Sequence, residues 1–585
     1  MLELTGIEAD AKLIAEWTAR VDRARSRLGW ATGAGIVARP HGSGVTLALA
    51  APFDQLFTAT EVNEWALCSA LQARDPVRWP GLRAALAAAA LEQSHGPADA
   101  DPPVLDERPA LERLARLAAA ERRPVLRELA EAAQLHGLPW LLDDDELSLG
   151  AGAGSRCYAL GELPATAGVP WAELHDIPTA LVTGSNGKTT TVRLIAACLR
   201  AQGRPVGYSC TDGLFLDDEW LERGDYSGPV GARTVLRDLR VEAAVLETAR
   251  GGILRRGLAV MRADVAVVTN VSADHFGEYG IHDLDALADV KLTVGSVVPE
   301  QGLLVLNADD ATLRAKAGGL AQRCGRELPI GWFARDADDA FLGAQRAAGG
   351  ATCGVRDGRL VLTFEGRDDD LGAVAAMPVT VGGRAGYNVS NLAAATLASA
   401  ALGVAPRDIA SVLARFGGRP EDNPGRLMRY EVGGVQLLVD YAHNPDGLRG
   451  VLQVAEGLKH GGGRLGLLLG HAGNREDADI ERLAMTAAQF APSLVVVKEI
   501  EGYLRGREPG EVPRILRNAL LRAGLRAESV VERPGELEAA RYAIYWARPG
   551  DVLVLPVHGL AARTTVLALI DTLRSGGMLQ QQGRT

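Results

Sequence analysis

The sequence has few of the features that mark secreted, membrane-spanning or nucleic-acid-binding proteins. Its six cysteines are scattered without paired spacing, which argues against a structural zinc site and favours a reducing cytoplasm. No apolar run approaches the roughly twenty residues of a membrane span, and the N-terminal stretch lacks the apolar core of a signal peptide. The net charge of −11 comes with no basic block, so we expect no nucleic-acid partner.

What the chain does have is length and apolar content for several domains. Its 585 residues, 47% of them apolar, predict three or four domains. We expect an N-terminal domain over 1–160, a linker over 161–176, and two further domains over 177–423 and 424–585. The N-terminal domain has Ala- and Leu-rich helical patterns from Trp79 to Leu135, interrupted by a linker-like stretch at Gly96–Pro103.

From about residue 177 onward, short β-branched runs alternate with helical segments, which predicts parallel α/β sheets. The first series of runs ends in polar groups, as does a second series that starts near 424, and residues 330–382 are predicted to be a β-rich insertion or sheet extension. Ligands of open α/β sheets bind at the carboxyl ends of the strands, so four polar run ends in the first series predict one nucleotide site. The four runs of the first series are Pro178–Val182, Ala243–Leu246, Asp264–Val268 and Leu303–Leu306. Those of the second are Val435–Val439, Leu465–Leu469, Leu494–Val497 and Val552–Leu555.

The stretch Thr183–Thr191 joins the first of these strands to an amphipathic helix through a glycine-rich turn. Backbone N–H groups of such a turn and the positive end of the helix bind phosphate oxygens. Lys188 can then reach the β- and γ-phosphates, and Thr189 can ligate Mg²⁺. Only two residues separate Gly184 from Gly187, against four in the usual phosphate loop. A glycine turn that merely caps an ordinary helix is therefore the alternative.

Three further residues are candidates for metal or phosphate contacts. Glu247 follows a strand, where a carboxylate can bind Mg²⁺; a surface salt bridge with Arg250 is the alternative. His275 lies beyond the next strand and is either a second metal contact or a structural histidine. Lys291, in the following helix, is either a partner of a carboxylate or phosphate or an ordinary solvent-facing lysine.

A dense polar cluster follows the strand that ends at Val439. It contains Asp440, Tyr441, His443 and Asn444, and such density favours a nucleotide or substrate contact over a plain turn. Arg426, fourteen residues before Asp440, is a candidate ligand for phosphate or ribose.

Taken together, these motifs resemble the Mur ligase superfamily of ATP-dependent amide ligases over residues 177–560. The two-residue spacing inside the glycine loop is the form usual in that family. The matching positions, in chain order, are Thr183–Thr190, Glu247, Thr269, Asn270, Asp274, His275, Lys291, Asn307–Asp310, Asn388, Asn391, Arg426 and Asp440–Pro445. Tyr387 is a departure, because Mur ligases often have a histidine before the residue that matches Asn388.

Further stretches are similar to the ligase half of cyanophycin synthetases, which adds arginine to an aspartate backbone. They are Glu247–Arg255, Asn423–Arg426 and Arg505–Glu511, with Gly137–Trp140 and Leu147–Gly150 similar to the end of the first domain of that family. The ATP-grasp module of the full-length synthetases has no counterpart here, so we expect this chain not to polymerise aspartate by itself. The resemblance implies an α/β protein with a Mur-ligase-like central P-loop ATPase domain, a C-terminal Rossmann-like domain and an α+β N-terminal domain.

The resemblance also implies roles for individual residues. Lys188, Glu247, His275 and Lys291 would be catalytic, and Thr189, Glu247 and His275 would hold Mg²⁺. Lys291 would be carbamylated, which would turn a cation into a metal-binding anion. Contacts with ATP would come from Gly184, Ser185, Asn186, Gly187, Lys188, Thr189, Thr190, Asn270, Asn307, Asn388, Asn391, Arg426 and Asp440.

The expected substrates are an amino acid and an acidic peptide or polymer, with a homo-oligomer as a further option. The resemblance assigns substrate contacts to His443, Asn444, Asn474, Arg505, Arg507 and Glu508. An arginine donor would need carboxylates for its guanidinium, and the segments 471–479 and 499–508 offer several. Two other functions stay open: a non-catalytic partner of a full-length cyanophycin synthetase, and a peptidoglycan-type ligase.

Overall fold

The computed structural model describes residues 2–5, 10–33, 35–41, 44–77, 106–273, 276 and 278–575. The start of the predicted helical region at Trp79, the stretch Gly96–Pro103, and the candidates Asp274 and His275 lie outside the described residues. The chain divides into two compact units: residues 1–149, 157–173 and 275–283 form the first, and residues 150–156, 174–274 and 284–585 form the second. None of the six cysteines, all of which lie in the described residues, forms a disulfide.

The first unit is an α+β structure built around a small antiparallel sheet. Its helices are α1 (Ala11–Leu28), α2 (Leu56–Arg74), α3 (Glu107–Glu121) and α4 (Pro124–Leu135). Its strands β1 (Leu2–Thr5), β2 (Ile36–His41) and β3 (Gly44–Leu49) are arranged in the order β1-β3-β2, and β4 (Trp140–Leu142), β5 (Glu146–Leu149) and β6 (Arg156–Ala159) form a second small sheet. Buried Trp17 packs in the core with Val62 and donates its indole N–H to Asn63 Oδ1 at 2.9 Å. The short helical turn Glu278–Gly280 contacts β2 and β3, so a late segment of the chain completes this unit.

The second unit contains a large mixed sheet, the central sheet, of eleven strands in the order β10-β9-β8-β11-β7-β12-β13-β14-β15-β16-β17. Its parallel strands are β7 (Thr179–Thr183), β8 (Val206–Cys210), β11 (Ala243–Glu247), β12 (Val265–Val268), β13 (Leu303–Asn307), β14 (Ile330–Asp336) and β15 (Thr352–Arg356). Its antiparallel edges are β9 (Gly213–Leu216), β10 (Glu219–Arg223), β16 (Arg359–Phe364) and β17 (Arg367–Ala373). The segment 330–382 therefore extends the sheet, which confirms that prediction.

Helices cover both faces of the central sheet, and this explains why its inner strands β7, β11, β12 and β13 are buried along their whole length. The helices that follow the strands in the chain are α5 (Lys188–Ala201), α6 (Pro229–Arg237), α7 (Arg250–Arg256), α8 (Leu284–Leu292), α9 (Ala311–Ala317), α10 (Leu320–Cys324), α11 (Ala340–Ala347), α12 (Gly386–Ala401) and α13 (Pro406–Leu413). Helices α5 and α12 pack against each other and against the sheet. All residues of β7, β11, β12 and β13 are buried, as expected for a parallel sheet covered on both sides.

The C-terminal sheet has six strands in the order β18-β19-β23-β20-β21-β22. Its strands are β18 (Met428–Val432), β19 (Val435–Asp440), β20 (Leu465–Leu469), β21 (Leu494–Lys498), β22 (Val530–Arg533) and β23 (Val552–Pro556). Its helices are α14 (Pro445–Leu458), α15 (Asp477–Ala488), α16 (Glu511–Arg522), α17 (Glu536–Trp546) and α18 (Leu560–Ser575). Except for β18, the strands are parallel, so all four runs of the second series form one sheet as predicted. Among the described helices, none is long and apolar enough to cross a lipid bilayer.

Candidate active site

The glycine loop between β7 and α5 has a backbone that only glycine fits at two positions. Gly184 and Gly187 have φ angles of 148° and 83°. A Cβ on Gly184 would lie 1.8 Å from Thr269 Oγ1, and one on Gly187 would lie 2.2 Å from Asn391 Oδ1. Lys188 folds back over the loop, where its ammonium donates to the carbonyls of Gly184 at 3.1 Å and Ser185 at 3.2 Å. The tight turn brings Lys188 and the start of α5 to one concave surface.

Residues after β12 brace this loop. The N–H of Asn186 donates to Asn270 Oδ1 at 2.9 Å, and Asn270 Nδ2 donates back to the carbonyl of Asn186 at 3.0 Å. Thr269 Oγ1 donates to the same carbonyl at 2.6 Å. Asn307 lies at the end of the neighbouring strand β13, and its Nδ2 donates to the carbonyl of Thr269 at 2.9 Å. The side chains of Asn270 and Asn307, both expected to contact the nucleotide, are thus bonded to backbone that shapes the loop.

Glu247 lies at the end of β11 and is only 1% exposed, so it does not occupy the surface position that the alternative of a surface salt bridge requires. Thr189 Oγ1 donates to Glu247 Oε2 at 2.8 Å. Thr211 Oγ1 donates to Glu247 Oε1 at 2.9 Å. Hydroxyl and carboxylate oxygens are the ligands that Mg²⁺ prefers. Thr189 and Glu247 fit such an ion beside the phosphate loop.

Thr211 was missed by the sequence reading, although a signal for it exists. It follows β8, a buried strand of the central sheet, so it obeys the same strand-end rule that pointed to Glu247. Within the described residues, no group of three or more His, Cys, Asp or Glu side chains is arranged to hold a metal. The pair of Thr189 and Glu247 therefore supplies only part of a coordination shell.

Lys291 is buried in α8, with 3% of its surface exposed. The alternative of a solvent-facing lysine is therefore wrong. It is not among the residues that line the cleft described below.

Asp440 and Arg426, both expected at the nucleotide, have different surroundings. Asp440 is 7% exposed and accepts hydrogen bonds from the backbone N–H groups of Leu427 at 2.6 Å and Ala442 at 2.7 Å. Burial raises the pKa of its carboxyl group, against the lowering effect of Arg426. Arg426 stacks on Tyr441, 4.4 Å from the ring centroid, and its Nη2 lies 3.3 Å from Thr189 Oγ1. Asp440 thus fixes the turn, and Arg426 reaches the candidate metal site.

These groups line one cleft of about 710 Å³ at the carboxyl ends of the central strands. Asn444 Nδ2 donates to Asn186 Oδ1 at 2.9 Å, which connects the loop after β19 to the phosphate loop. On another side, Asn391 Nδ2 donates to Asn388 Oδ1 at 3.0 Å, and the ring of Tyr387 lines the cleft beside them. The cleft lining includes Ser185, Gly187, Lys188, Thr189, Thr190, Glu247, Asn270, Asn307, Asn388, Asn391, Arg426, Asp440 and His443.

Comparison with known proteins agrees with this geometry. Residues 182–399 match the Mur ligase middle domain, and residues 425–556 match the Mur ligase glutamate ligase domain. A UDP-N-acetylmuramoyl-L-alanyl-D-glutamate–2,6-diaminopimelate ligase of Ectopseudomonas mendocina is 32% identical, over 68% of this chain and 76% of that one. The chain belongs to the Mur ligase family. This is a family of ATP-dependent ligases.

Cyanophycin synthetases are also similar to this Mur ligase. The one from Crocosphaera subtropica is 35% identical over 65% of this chain, but the match spans only 42% of the synthetase. The chain thus spans less than half the length of this relative. Among solved structures, E. coli FolC in complex with DHPP and ADP is 19% identical, covers 68% of this chain and 89% of FolC, and has a TM-score of 0.48.

Of the residues expected to contact substrates, His443 lines the cleft, whereas Asn474, Arg505, Arg507 and Glu508 are not among its lining residues. Arg507 donates to the carbonyls of Gly473 at 2.8 Å and Arg475 at 2.6 Å. It also forms ion pairs with Asp477 at 2.7 Å and Glu511 at 2.5 Å. Arg505, Glu508 and Asn474 are exposed. Arg507 is thus engaged within the C-terminal part of the Mur ligase, whereas Arg505 remains on the surface.

A buried ionic cluster at the ends of β21 and β23 was missed entirely. Lys498 donates to Glu536 Oε1 at 2.5 Å, and both side chains are fully buried. His558 Nδ1 lies 3.3 Å from Lys498 Nζ, and His558 Nε2 lies 3.1 Å from the carbonyl of Ala442. A carbonyl only accepts, so Nε2 carries a proton, and an ammonium only donates, so Nδ1 accepts from Lys498 and the histidine is neutral.

The electrostatics agree with that assignment. Burial, followed by the charge of Lys498, lowers the pKa of His558 to about 4. Burial alone would raise the pKa of Glu536, but its contact with His558 and the charge of Lys498 hold it below its usual range. The backbone N–H of His558 also donates to Glu536 Oε1 at 2.9 Å. Glu536 gives no sequence signal because it opens a helix rather than ending a strand.

Proposed function

We propose that this Mur ligase joins a carboxylate to an amine, forming an amide or isopeptide bond through an acyl phosphate at the expense of ATP. The observation that carries the proposal is the buried pair of Thr189 and Glu247 beside Lys188, in a cleft that Arg426 and His443 also line. A nucleotide-binding loop alone would serve many reactions. A carboxylate with a hydroxyl at the metal position and cations around it fits phosphoryl transfer.

The chemistry has two steps. An oxygen of the substrate carboxylate attacks the γ-phosphorus of ATP, the bond to the β-phosphate oxygen breaks, and ADP leaves. The amine then attacks the acyl carbon and loses a proton, and phosphate departs with the oxygen that came from the carboxylate. Phosphorylation is needed because a carboxylate oxygen is a poor leaving group.

Residues of this chain have distinct parts in these steps. Lys188 and the N–H groups of the glycine loop would stabilise the charge on the transferring phosphoryl group. Mg²⁺, held by Thr189 and Glu247, would neutralise phosphate charge. Arg426, whose Nη2 lies beside Thr189 Oγ1, would face the same phosphate end. His275 remains a proposed third metal contact and Lys291 a proposed carbamylated one.

For the substrates, we propose arginine or a similar amino acid as the amine and an aspartyl or cyanophycin-like peptide as the carboxylate. The similarity to cyanophycin synthetases supports this choice. Within the segments 471–479 and 499–508, whose carboxylates could bind a guanidinium, Asp477 and Asp479 pair with Arg507 and Arg482. Glu476 and Glu501 are exposed and are the better candidates.

A peptidoglycan-type ligase is the second candidate function. The supporting observation is the match to the diaminopimelate ligase, which covers 76% of that enzyme. The amine would then be a diamino acid and the carboxylate would belong to a nucleotide-linked muropeptide. The two candidates differ in both substrates, so one assay distinguishes them.

The test is phosphate release from ATP and Mg²⁺ with a matrix of amines and carboxylates. The amines are arginine, lysine and diaminopimelate, and the carboxylates are aspartyl peptides and a UDP-linked muropeptide. We expect phosphate release only when an amine and a carboxylate are both present, and an amide product detected by mass spectrometry. In Lys188→Ala, phosphate release and the amide product should both be lost. Absence of turnover across the matrix would contradict the proposal and favour a non-catalytic partner of a full-length synthetase.

A further inference from the structure

One carboxylate in the second unit is surrounded by three guanidinium groups. Arg193 Nη2 lies 2.8 Å and Arg563 Nη2 lies 2.6 Å from the Asp212 oxygens. Arg426 Nη2 approaches the same carboxylate at 3.8 Å. The side chains of Asp212, Arg193 and Arg563 are each only 4% exposed. We call these four residues the Asp212 cluster.

The cluster joins parts of the fold that are far apart in sequence. Arg193 lies on α5, the helix that opens with the phosphate loop, and Asp212 directly follows Thr211, which donates to Glu247. Arg563 lies on α18 of the C-terminal sheet, 351 residues after Asp212. The cluster therefore connects the helix of the phosphate loop and the turn after β8 with α18.

The segment 423–426 passes between the two buried arginines. Arg193 Nη1 donates to Asn423 Oδ1 at 3.2 Å and to the carbonyl of Pro424 at 3.0 Å. On the other side, a Cβ on Gly425 would lie 2.0 Å from Arg563 Nη1, so only glycine leaves room for that guanidinium. Gly425 also has a φ of 72°, which favours glycine. The backbone that leads into Arg426 is thus fixed from both sides.

The side chain of Arg426 is fixed as well. Tyr441 lies under its guanidinium and Asp212 lies beside it, which leaves its Nη2 directed to Thr189 Oγ1 at 3.3 Å. Three buried or half-buried cations would repel one another without a shared anion. Asp212 supplies that anion, and Arg563 occupies one side of it so that Arg426 approaches from the other.

We propose that Asp212 and Arg563 are positioning residues that hold Arg426 against the terminal phosphate position of a bound nucleoside triphosphate. The inference rests on the nucleotide site of the proposed function and goes further, because it assigns a role to a helix remote from the phosphate loop. It predicts that a change at Arg563 acts through Arg426. Neither Asp212 nor Arg563 touches the nucleotide in this account.

The test is a double-mutant cycle read by calorimetry, with the magnesium complexes of AMP-PNP and ADP as probes. We expect Arg426→Gln and Arg563→Gln each to weaken AMP-PNP binding by about tenfold or more, the range of charge-assisted contacts. ADP lacks the terminal phosphate, so its affinity should change less than about twofold. The double variant should bind AMP-PNP no more than about twofold more weakly than Arg426→Gln alone.

Two controls keep the test sharp. Arg574→Gln changes an arginine on the same helix that pairs with Asp571 at 3.5 Å and lies over the ring of Tyr430, and it should leave both affinities unchanged. Asp212→Asn should behave as Arg563→Gln does, with thermal melting to monitor its fold. If Asp212→Asn does not fold, Arg563→Gln still decides the question, because removing a cation relieves the cluster.

Additive losses in the double variant, or equal weakening of AMP-PNP and ADP, would overturn the positioning role. Binding is measured without turnover, so its outcome is separate from that of the proposed function. Coupled AMP-PNP losses in a protein that forms no amide would leave the positioning role standing and remove the ligase proposal. Amide formation together with additive losses of AMP-PNP affinity would support the ligase proposal and remove the positioning role.

Discussion

In both sheets of the second unit, the carboxyl ends of the parallel strands lead into lysine and glutamate residues, but the surroundings of these residues differ. At the central sheet, Lys188, Thr189 and Glu247 meet in an open cleft. At the C-terminal sheet, Lys498, Glu536 and His558 meet one another in a buried cluster. The strand-end rule locates polar groups in both sheets. Whether those groups line a cleft decides whether they can meet a ligand or serve to hold loops together.

The largest effect should come from the central sheet. Lys188→Ala removes the cation of the phosphate loop and should lower kcat/KM by about 10³-fold, roughly 4 kcal/mol, since lost transition-state charge stabilisation costs that much. The matched control is Lys459→Ala, which removes a surface partner of Glu456. Steady-state ADP release measures both. If kcat/KM fell by less than tenfold in Lys188→Ala, phosphoryl transfer would not depend on this lysine and the candidate site would be wrong.

The corresponding change at the C-terminal sheet should affect stability first. Glu536→Gln leaves Lys498 buried without its anion, which should lower the free energy of unfolding by about 3 kcal/mol. Urea denaturation measures this. In the partly exposed Lys459 pair, Glu456→Gln should cost under about 0.5 kcal/mol. If the two variants lost equal stability, the buried cluster would have no special role.

The pH dependence of stability should also come from the C-terminal cluster. His558 faces Lys498, Glu536 and His443, and its pKa is lowered from 6.5 to about 4. In that window the unfolded histidine binds a proton and the folded one does not, so stability falls as the pH falls from 6.5 to 4, by up to about 3 kcal/mol. Glu536, with a lowered pKa, adds a further loss below pH 4.5.

His558→Gln keeps a donor for the carbonyl of Ala442 and removes the titration. We expect its unfolding free energy to fall less steeply between pH 6.5 and 4 than that of the unmodified protein. Denaturation series at several pH values give both slopes. Identical slopes would mean that His558 is not the group that titrates.

The smallest contrast separates two neighbouring arginines. Arg507→Gln should destabilise the protein by about 1–3 kcal/mol, because it removes donors to Gly473 and Arg475. Arg505→Gln lies on the surface and should change stability by less than about 0.5 kcal/mol. If Arg505 holds the amine substrate, the KM of the Arg505→Gln variant for the amine should be about tenfold higher than that of the unmodified protein. If the KM for the amine rose only in Arg507→Gln, Arg507 rather than Arg505 would contact the substrate.

The sequence predicted the parts of the fold that depend on local pattern. Runs such as Ala243–Leu246 and Leu465–Leu469 became buried parallel strands, because an uninterrupted apolar run fits a sheet covered on both faces. The glycine loop and Glu247 were predicted from strand ends and from family resemblance together. These signals lie within a few residues of one another.

Contacts between distant segments could not be read in this way. Asp212 and Arg563 are in contact although they are 351 residues apart, and no pattern in the sequence near either residue predicts this contact. The same holds for Lys498 and His558, which are 60 residues apart. Arg507 illustrates the converse, because its motif predicted a substrate contact while its guanidinium is bonded within the protein.

The most direct test of the ligase account follows oxygen from substrate to phosphate. An aspartyl peptide labelled with ¹⁸O in its side-chain carboxylates is incubated with the protein, ATP, Mg²⁺ and arginine, and the released phosphate is analysed by mass spectrometry. An acyl-phosphate intermediate predicts one ¹⁸O atom in each phosphate released with amide formation. Unlabelled phosphate would mean that water attacks ATP, and it would contradict the acyl-phosphate mechanism.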